Sequence, residues 1–187
     1  MRITGGSLRS RRLVAPPGTQ TRPTTDRVRE ALFSMIASRI EVDGARVLDL
    51  YAGTGALGIE ALSRGAAEVV FVESERRAVV ALRENLEALS LVAQSKIIVN
   101  EVDRVVPSQI ALSAIDLVLV DPPYGDVPSG RLAKALARLF RELTFSAEAL
   151  LVLEHASRNP PALIERWAVG DSRRHGDTTL SFYAPIG

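Results

Sequence analysis

The chain has 187 residues, 47% hydrophobic and 24% charged, which excludes a disordered protein and leaves enough apolar side chains for a core without staples. The absence of cysteine excludes disulfides and cysteine-ligated metals and suits a reducing cytoplasm; no apolar run reaches the roughly 18 residues of a membrane span, and no signal-peptide core is expected. The net charge of +1 is unevenly spread: residues 1–30 carry seven arginines against two acidic residues, a local +5, and the remainder carries −4.

The basic stretch comes first in chain order. Residues 1–24 contain Gly5-Gly6, Pro16-Pro17-Gly18 and two short apolar runs, around Ile3 and at Leu13-Val14-Ala15. That pattern suits a small β-hairpin or an extended arm. A basic arm on a mildly acidic body points to a polyanion, with a solvated tail as the alternative. Arg9, Arg11, Arg12 and Arg22 are the arm's candidate phosphate contacts, and arginine suits bidentate contact with phosphate. Pro23-Thr24-Thr25 then offers an N-cap to a helix with Val28, Leu32, Met35 and Ile36 on one face. Arg27 and Arg29 lie in its first turns. They are read as RNA-phosphate contacts, or else as structural partners of Glu30 or of a carboxylate at the sheet end. Phe33 and Met35 read as helix core.

From Asp43-Gly44 onward the pattern is regular. Strand-length apolar runs appear at Arg46–Leu50, Val69–Glu73, Lys96–Asn100, Ile115–Val120 and Leu150–Glu154, each rich in Val, Ile and Leu as in strands buried on both faces. Helical segments fall near residues 56–64, 75–89, 103–112 and 129–142. Alternation of strand and helix means a parallel sheet with right-handed crossovers. Trp167–Ser172 and Thr178–Ala184, flanking a polar turn at 173–177, read as an antiparallel hairpin closing the sheet, packed by Trp167 and Phe182. The expected fold is therefore α/β: a seven-stranded mixed sheet of the Rossmann-like class I methyltransferase type over 25–187, plus the arm over 1–24.

Residues 47–58, VLDLYAGTGALG, form a strand, a glycine-rich turn and a helix start. Gly53 and Gly55 let the backbone approach a ligand closely, and Glu73, at the end of the next strand, can accept from ribose hydroxyls. The same string fits a dinucleotide fingerprint, and it could also be a plain turn without a ligand. Asp49, however, lies just before the turn. A carboxylate there suits the cationic end of S-adenosylmethionine better than a diphosphate. Too few residues follow the fifth strand for a typical dehydrogenase. Tyr51 and Ser74 join this cofactor-binding set. Asn100, Glu101 and Asp103 are candidates to contact the adenine amine; Asp103 is favoured, with a helix N-cap as its alternative role.

The strand Ile115–Val120 runs into Asp121-Pro122-Pro123-Tyr124 at the carboxyl edge of the sheet, where ligands bind in open α/β folds. The prolines remove two donors and hold their carbonyls outward. The Asp121 carboxylate and the Pro122 carbonyl could grip the two N–H groups of an exocyclic amine, with Tyr124 stacked on the base. Asp121 also counts among the cofactor contacts and is a candidate proton acceptor. A rigid turn without chemistry is the plainer reading of the tetrad. His155 and His175 are isolated and read as structural or solvated, so no metal is expected. Arg173-Arg174 reads as a solvated turn.

On these residues the chain resembles the RsmD family of bacterial 16S rRNA guanine-N2 methyltransferases. The resemblance runs through Ile3-Thr4-Gly5-Gly6, Arg11-Arg12-Leu13, the Arg22–Glu30 string, the Asp49–Gly58 loop, Phe71-Val72-Glu73, Asp121–Tyr124 and Gly176-Asp177-Thr178-Thr179-Leu180. It implies S-adenosylmethionine as methyl donor, a loop guanine of small-subunit RNA as acceptor, a partly or fully assembled subunit as partner, and a monomeric, cytoplasmic enzyme. Competing readings are a DNA adenine-N6 or protein-glutamine methyltransferase, and a non-catalytic RNA-binding assembly factor. The chain lacks a target-recognition domain, against the DNA enzyme. Intact Asp49, Glu73 and Asp121 argue against the factor.

Overall fold

Short runs of branched aliphatic residues become seven strands of one sheet: β1 (Arg46–Leu50), β2 (Glu68–Glu73), β3 (Ser95–Val99), β4 (Ile115–Val120), β5 (Phe145–Ala156), β6 (Trp167–His175) and β7 (Thr178–Pro185). The structure, a computed structural model, describes residues 1–15, 26–123 and 125–186. The strand order is β3-β2-β1-β4-β5-β7-β6, with β1 to β5 parallel and β7 antiparallel to both neighbours. This is the Rossmann-like methyltransferase sheet.

Side chains alternate across the sheet. Val47, Phe71, Leu117, Leu119 and Val152 pack with α1 (Asp26–Ala37), α2 (Ala56–Ser63) and α3 (Arg76–Ala88). Leu48, Leu50, Val72, Val120 and Leu153 pack on the opposite face with α4 (Arg131–Phe140). Helix α3 starts cleanly because the Glu75 carboxylate accepts from the amides of Arg77 (3.0 Å) and Ala78 (2.6 Å). Among the described residues no helix is long and apolar enough to cross a membrane.

The structure departs from the sequence reading at several places. The helix expected at 103–112 is two 3₁₀ turns, Val102–Arg104 and Pro107–Gln109. Pro107 lacks an amide proton and drives Val106 into extended backbone (φ −101°, ψ 143°), so a longer helix cannot form. The buried stripe of α1 is Arg29, Leu32, Phe33 and Ile36, rotated from the expected face. The hairpin turn narrows to Gly176-Asp177, which places Arg173 and Arg174 in β6. Trp167 packs edge-to-face on Phe145, at 5.1 Å and 87°.

Residues 1–15 form one antiparallel bridge, Arg2 to Arg12, rather than a full hairpin, and they are docked on the sheet domain. Ile3 and Leu13 enter the core. The anchor is Glu60 of α2, fully buried, which accepts from the amides of Thr4 (2.8 Å) and Gly5 (2.7 Å) and from the Thr4 hydroxyl (2.8 Å). A Cβ on Gly6, where φ is +75°, would lie 1.7 Å from the Ser63 carbonyl oxygen, so only glycine fits. Asn85 of α3 holds the far end. Its side chain exchanges two hydrogen bonds with the backbone of residue 14 and donates to the Thr54 carbonyl at 3.1 Å. The expected cap at Pro23-Thr24-Thr25, and Arg22, lie outside the described residues.

Candidate active site

The sheet order reverses between β1 and β4, the switch point at which open α/β sheets take their ligands. Leu50 is in register with Val72 and with Val120, and Val120 with Leu153. All four side chains face α4. Alternation therefore turns the next residues, Glu73, Asp121 and Glu154, toward the α1–α3 side, and Asp49 shares that side. Tyr51 breaks the alternation because its φ is +60°, and its ring packs on the α4 side. Burial and the nearby Asp126 carboxylate raise its hydroxyl pKa to about 12.

Asp49 is 1% exposed and accepts from the Gly58 amide at 2.9 Å. Burial, reinforced by the Glu73 carboxylate and opposed by the Gly58 N–H, raises its pKa to about 7. Gly58 has to be glycine: a Cβ there would sit 2.3 Å from the Phe71 ring and 2.9 Å from the Asp49 carboxylate. Glu73 organises the turn, accepting from the amides of Gly53, Ser74 and Glu75, each at 2.7 Å. Gly53 (φ +56°) and Gly55 (φ +83°) are both left-handed. A Cβ on Gly53 would meet nothing within 4 Å, so the turn is open at this position.

Asp103 does not cap its turn; Glu101 stands at the cap position. Its Oδ2 pairs with Arg131 at 3.0 Å, and its Oδ1 is buried without a hydrogen-bond partner. Asp103 lines a cleft of about 370 Å³ with Ser129, Arg131, Lys134, Ala135 and Arg138. The other two candidates are engaged as well, Asn100 with the backbone of Glu101 and Arg104, and Glu101 with Arg131.

The Asp121 amide donates to the Leu50 carbonyl at 3.4 Å, which stitches the tetrad to β1. Although water reaches its surface, surrounding protein and the Glu154 and Asp49 carboxylates push its pKa well up. Pro122 is buried and Pro123 exposed. The Pro123 carbonyl is not free as expected: it accepts from the Asp126 amide at 2.9 Å. Pro122 remains the second candidate acceptor. Tyr124 lies outside the described residues. Glu154, which the sequence reading passed over, is 9% exposed and joins Glu73, Asp49 and Asp121 to make four carboxylates on one side of the carboxyl edge. Its signal was available in the sequence, since it closes the apolar run Leu150–Glu154 as Asp121 follows the run Ile115–Val120.

The arginines divide. Arg9, Arg11, Arg12 and Arg27 are exposed. Arg29 is not an RNA contact: its side chain is 0% exposed, pairs with Asp26 at 2.8 Å and Glu60 at 3.4 Å, and donates to the Arg2 carbonyl. His155 is buried, bonded through Nε2 to the Ser181 hydroxyl at 2.8 Å, and burial lowers its pKa. Among the described residues no group of His, Cys, Asp and Glu could hold a metal ion.

Comparison with known proteins places the chain among relatives over nearly its whole length. Residues 1–184 match the family model described as Conserved hypothetical protein 95. "Ribosomal RNA small subunit methyltransferase D" of Escherichia coli K12 is 36% identical over 184 residues, covering 98% of this chain and 89% of its own. Its namesake from Haemophilus influenzae is 29% identical over 185 residues, covering 98% and 93%. The solved structure of Escherichia coli yhhF, described as a candidate methyltransferase, superposes with a TM-score of 0.80 at 32% identity, covering 99% of this chain and 97% of the other.

Proposed function

Since the chain belongs to the RsmD family, that of Conserved hypothetical protein 95, we propose that it transfers a methyl group from S-adenosylmethionine to the exocyclic N2 of a loop guanine in 16S ribosomal RNA. One observation carries the reading. Glu73, Asp49 and Asp121 share one side of the carboxyl edge, beside a glycine whose Cβ direction is open. Such an arrangement is repulsive when empty and suits a ligand with a cationic end.

S-adenosylmethionine supplies a methyl group on a positively charged sulfur that departs as a neutral thioether. Asp49 would hold its cationic end, Glu73 its ribose hydroxyls, and Tyr51, Gly53, Gly55 and Ser74 the backbone around it. The unpartnered Asp103 Oδ1 is the acceptor left for an adenine amine. Asp121 would accept one N–H of the acceptor amine and the Pro122 carbonyl the other, orienting the nitrogen lone pair out of the base plane. The proton released after alkylation passes to Asp121 or to water, and the raised pKa of Asp121 suits the first route. A loop guanine reaches this edge by leaving its stack, with Tyr124 as the stacking partner. Arg9, Arg11, Arg12, Arg22 and Arg27 would bind phosphates. The partner is the small subunit or its assembly intermediate, and the enzyme acts as a monomer in the cytoplasm.

The test is transfer from labelled cofactor to small subunits lacking the modification, followed by mapping of the product. Methyl on guanine N2 is expected; methyl on adenine or on protein refutes the reading. Absence of cofactor binding by calorimetry would favour a non-catalytic RNA-binding factor.

A further inference from the structure

Glu154 has no role in the chemistry described so far, yet its position is specific. It follows Leu153, the register partner of Val120, so it stands level with Asp121 on the adjacent parallel strand and on the same side of the sheet. Neighbouring strands are about 4.8 Å apart, and the Glu154 and Asp121 carboxylates are close enough to repel. Glu154 is 9% exposed; among the described residues the other buried acidic side chains are Asp49 and Glu60. Glu60 is spent on Thr4, Gly5, Arg29 and Arg64. On its other side Glu154 is paired in the sheet with Leu180, an apolar neighbour of the core.

Two adjacent carboxylates complement one kind of base edge. Guanine presents two neighbouring donors, N1–H beside the N2 amine. Adenine presents an acceptor at N1 beside its amine, and a carboxylate facing that lone pair would be repelled. With Asp121 on the amine, a second carboxylate one strand away reaches the ring nitrogen beside it. We infer that Glu154 is the specificity-determining residue for the acceptor base, accepting the N1–H of guanine while Asp121 accepts from the N2 amine. The inference rests on the guanine-N2 reading and adds the group that selects guanine.

The test uses small subunits reconstituted with 16S RNA carrying either guanine or 2-aminopurine at the mapped nucleotide. 2-Aminopurine keeps the N2 amine and replaces N1–H with a lone pair. The wild-type enzyme is expected to prefer guanine in kcat/KM by roughly 10- to 100-fold, the range for one well-made base contact. In Glu154→Gln the amide can donate to N1, so that preference should collapse to within about threefold, through loss on guanine and gain on 2-aminopurine. Cofactor Kd by calorimetry, expected within about twofold of wild type if the cofactor contacts are independent of Glu154, shows that the fold survives. Glu154→Asp, which keeps the charge, should retain the preference for guanine. A Gln variant that keeps the wild-type ratio overturns the inference, whatever its absolute rate. So does one that changes only the pH profile, which would make Glu154 a tuner of Asp121. Wild-type methylation of an acceptor other than guanine N2 refutes the functional reading itself, a result seen in product mapping before any variant is made.

Discussion

Asp49→Asn separates what this carboxylate does to the fold from the cofactor contact proposed for it. The group is 1% exposed, and burial, aided by Glu73, lifts its pKa from 3.8 to about 7. At about 1.4 kcal/mol per pH unit, holding the charged form costs the fold about 4 kcal/mol at pH 8. Asparagine fills the same volume and still accepts the Gly58 amide, but its new NH₂ group enters a buried place as an unmatched donor, which costs about 1–3 kcal/mol. The net expectation is a gain of about 2 kcal/mol, or a rise in Tm of about 4–8 °C for a chain of this size. The sign with pH follows from a raised folded-state pKa. The wild-type contribution is intact below pH 3.8 and is lost as pH rises through about 7. The asparagine side chain does not titrate, so the variant's advantage should widen between pH 5 and pH 8. Thermal melts at both pH values measure it, and calorimetry should show cofactor affinity falling by at least about tenfold for loss of a buried charge partner. A variant no more stable than wild type at pH 8, or an advantage equal at pH 5 and pH 8, would refute the reasoning.

Three further outcomes are expected. Asp121→Ala should leave cofactor Kd within about threefold and lower the rate of methyl transfer by about 100-fold or more, measured in single turnover with labelled cofactor; turnover near wild type would remove the tetrad from the chemistry. Arg27→Ala should leave Tm unchanged and flatten the salt slope of RNA binding by about one, whereas Arg29→Ala should cost about 3–5 kcal/mol in denaturant unfolding by leaving Glu60 less well paired. Equal effects of the two would contradict their opposite exposures. Gly58→Ala should lose about 1–3 kcal/mol from overpacking against Phe71 and weaken cofactor binding together with stability; an unperturbed melt would show that the strand and helix can separate freely.

Much of the fold was legible because buried parallel strands announce themselves as short runs of branched aliphatics, and all seven strands end within three residues of the expected positions. The candidate site was legible for the same reason: Asp49, Glu73 and Asp121 each interrupt or end such a run. The sequence reading went wrong where one residue type serves two purposes. Arg29 and Arg27 look alike in a basic stretch, but the spacing 29, 32, 33, 36 puts Arg29 in the apolar stripe and turns Arg27 to the opposite face. Pro107 broke a helix whose hydrophobic pattern was otherwise acceptable. The clamps made by Glu60 and Asn85 link residues 55 to 71 positions apart, and no local pattern reports such partners.

That Asn85 clamp has a consequence for biosynthesis. Residue 14 emerges from the ribosome long before its partner, 71 positions later, and Ile3 and Leu13 have no core to enter until the sheet and α3 exist. This early segment is therefore among the last to settle, and its apolar side chains stay available to chaperones during elongation. Because the same asparagine holds the Thr54 carbonyl, the glycine turn and the early segment share one anchor on α3, which exists only once residue 85 has been made. A nascent chain stalled before residue 85 should accordingly show no affinity for the cofactor, even though the whole Asp49–Gly58 motif has already been made.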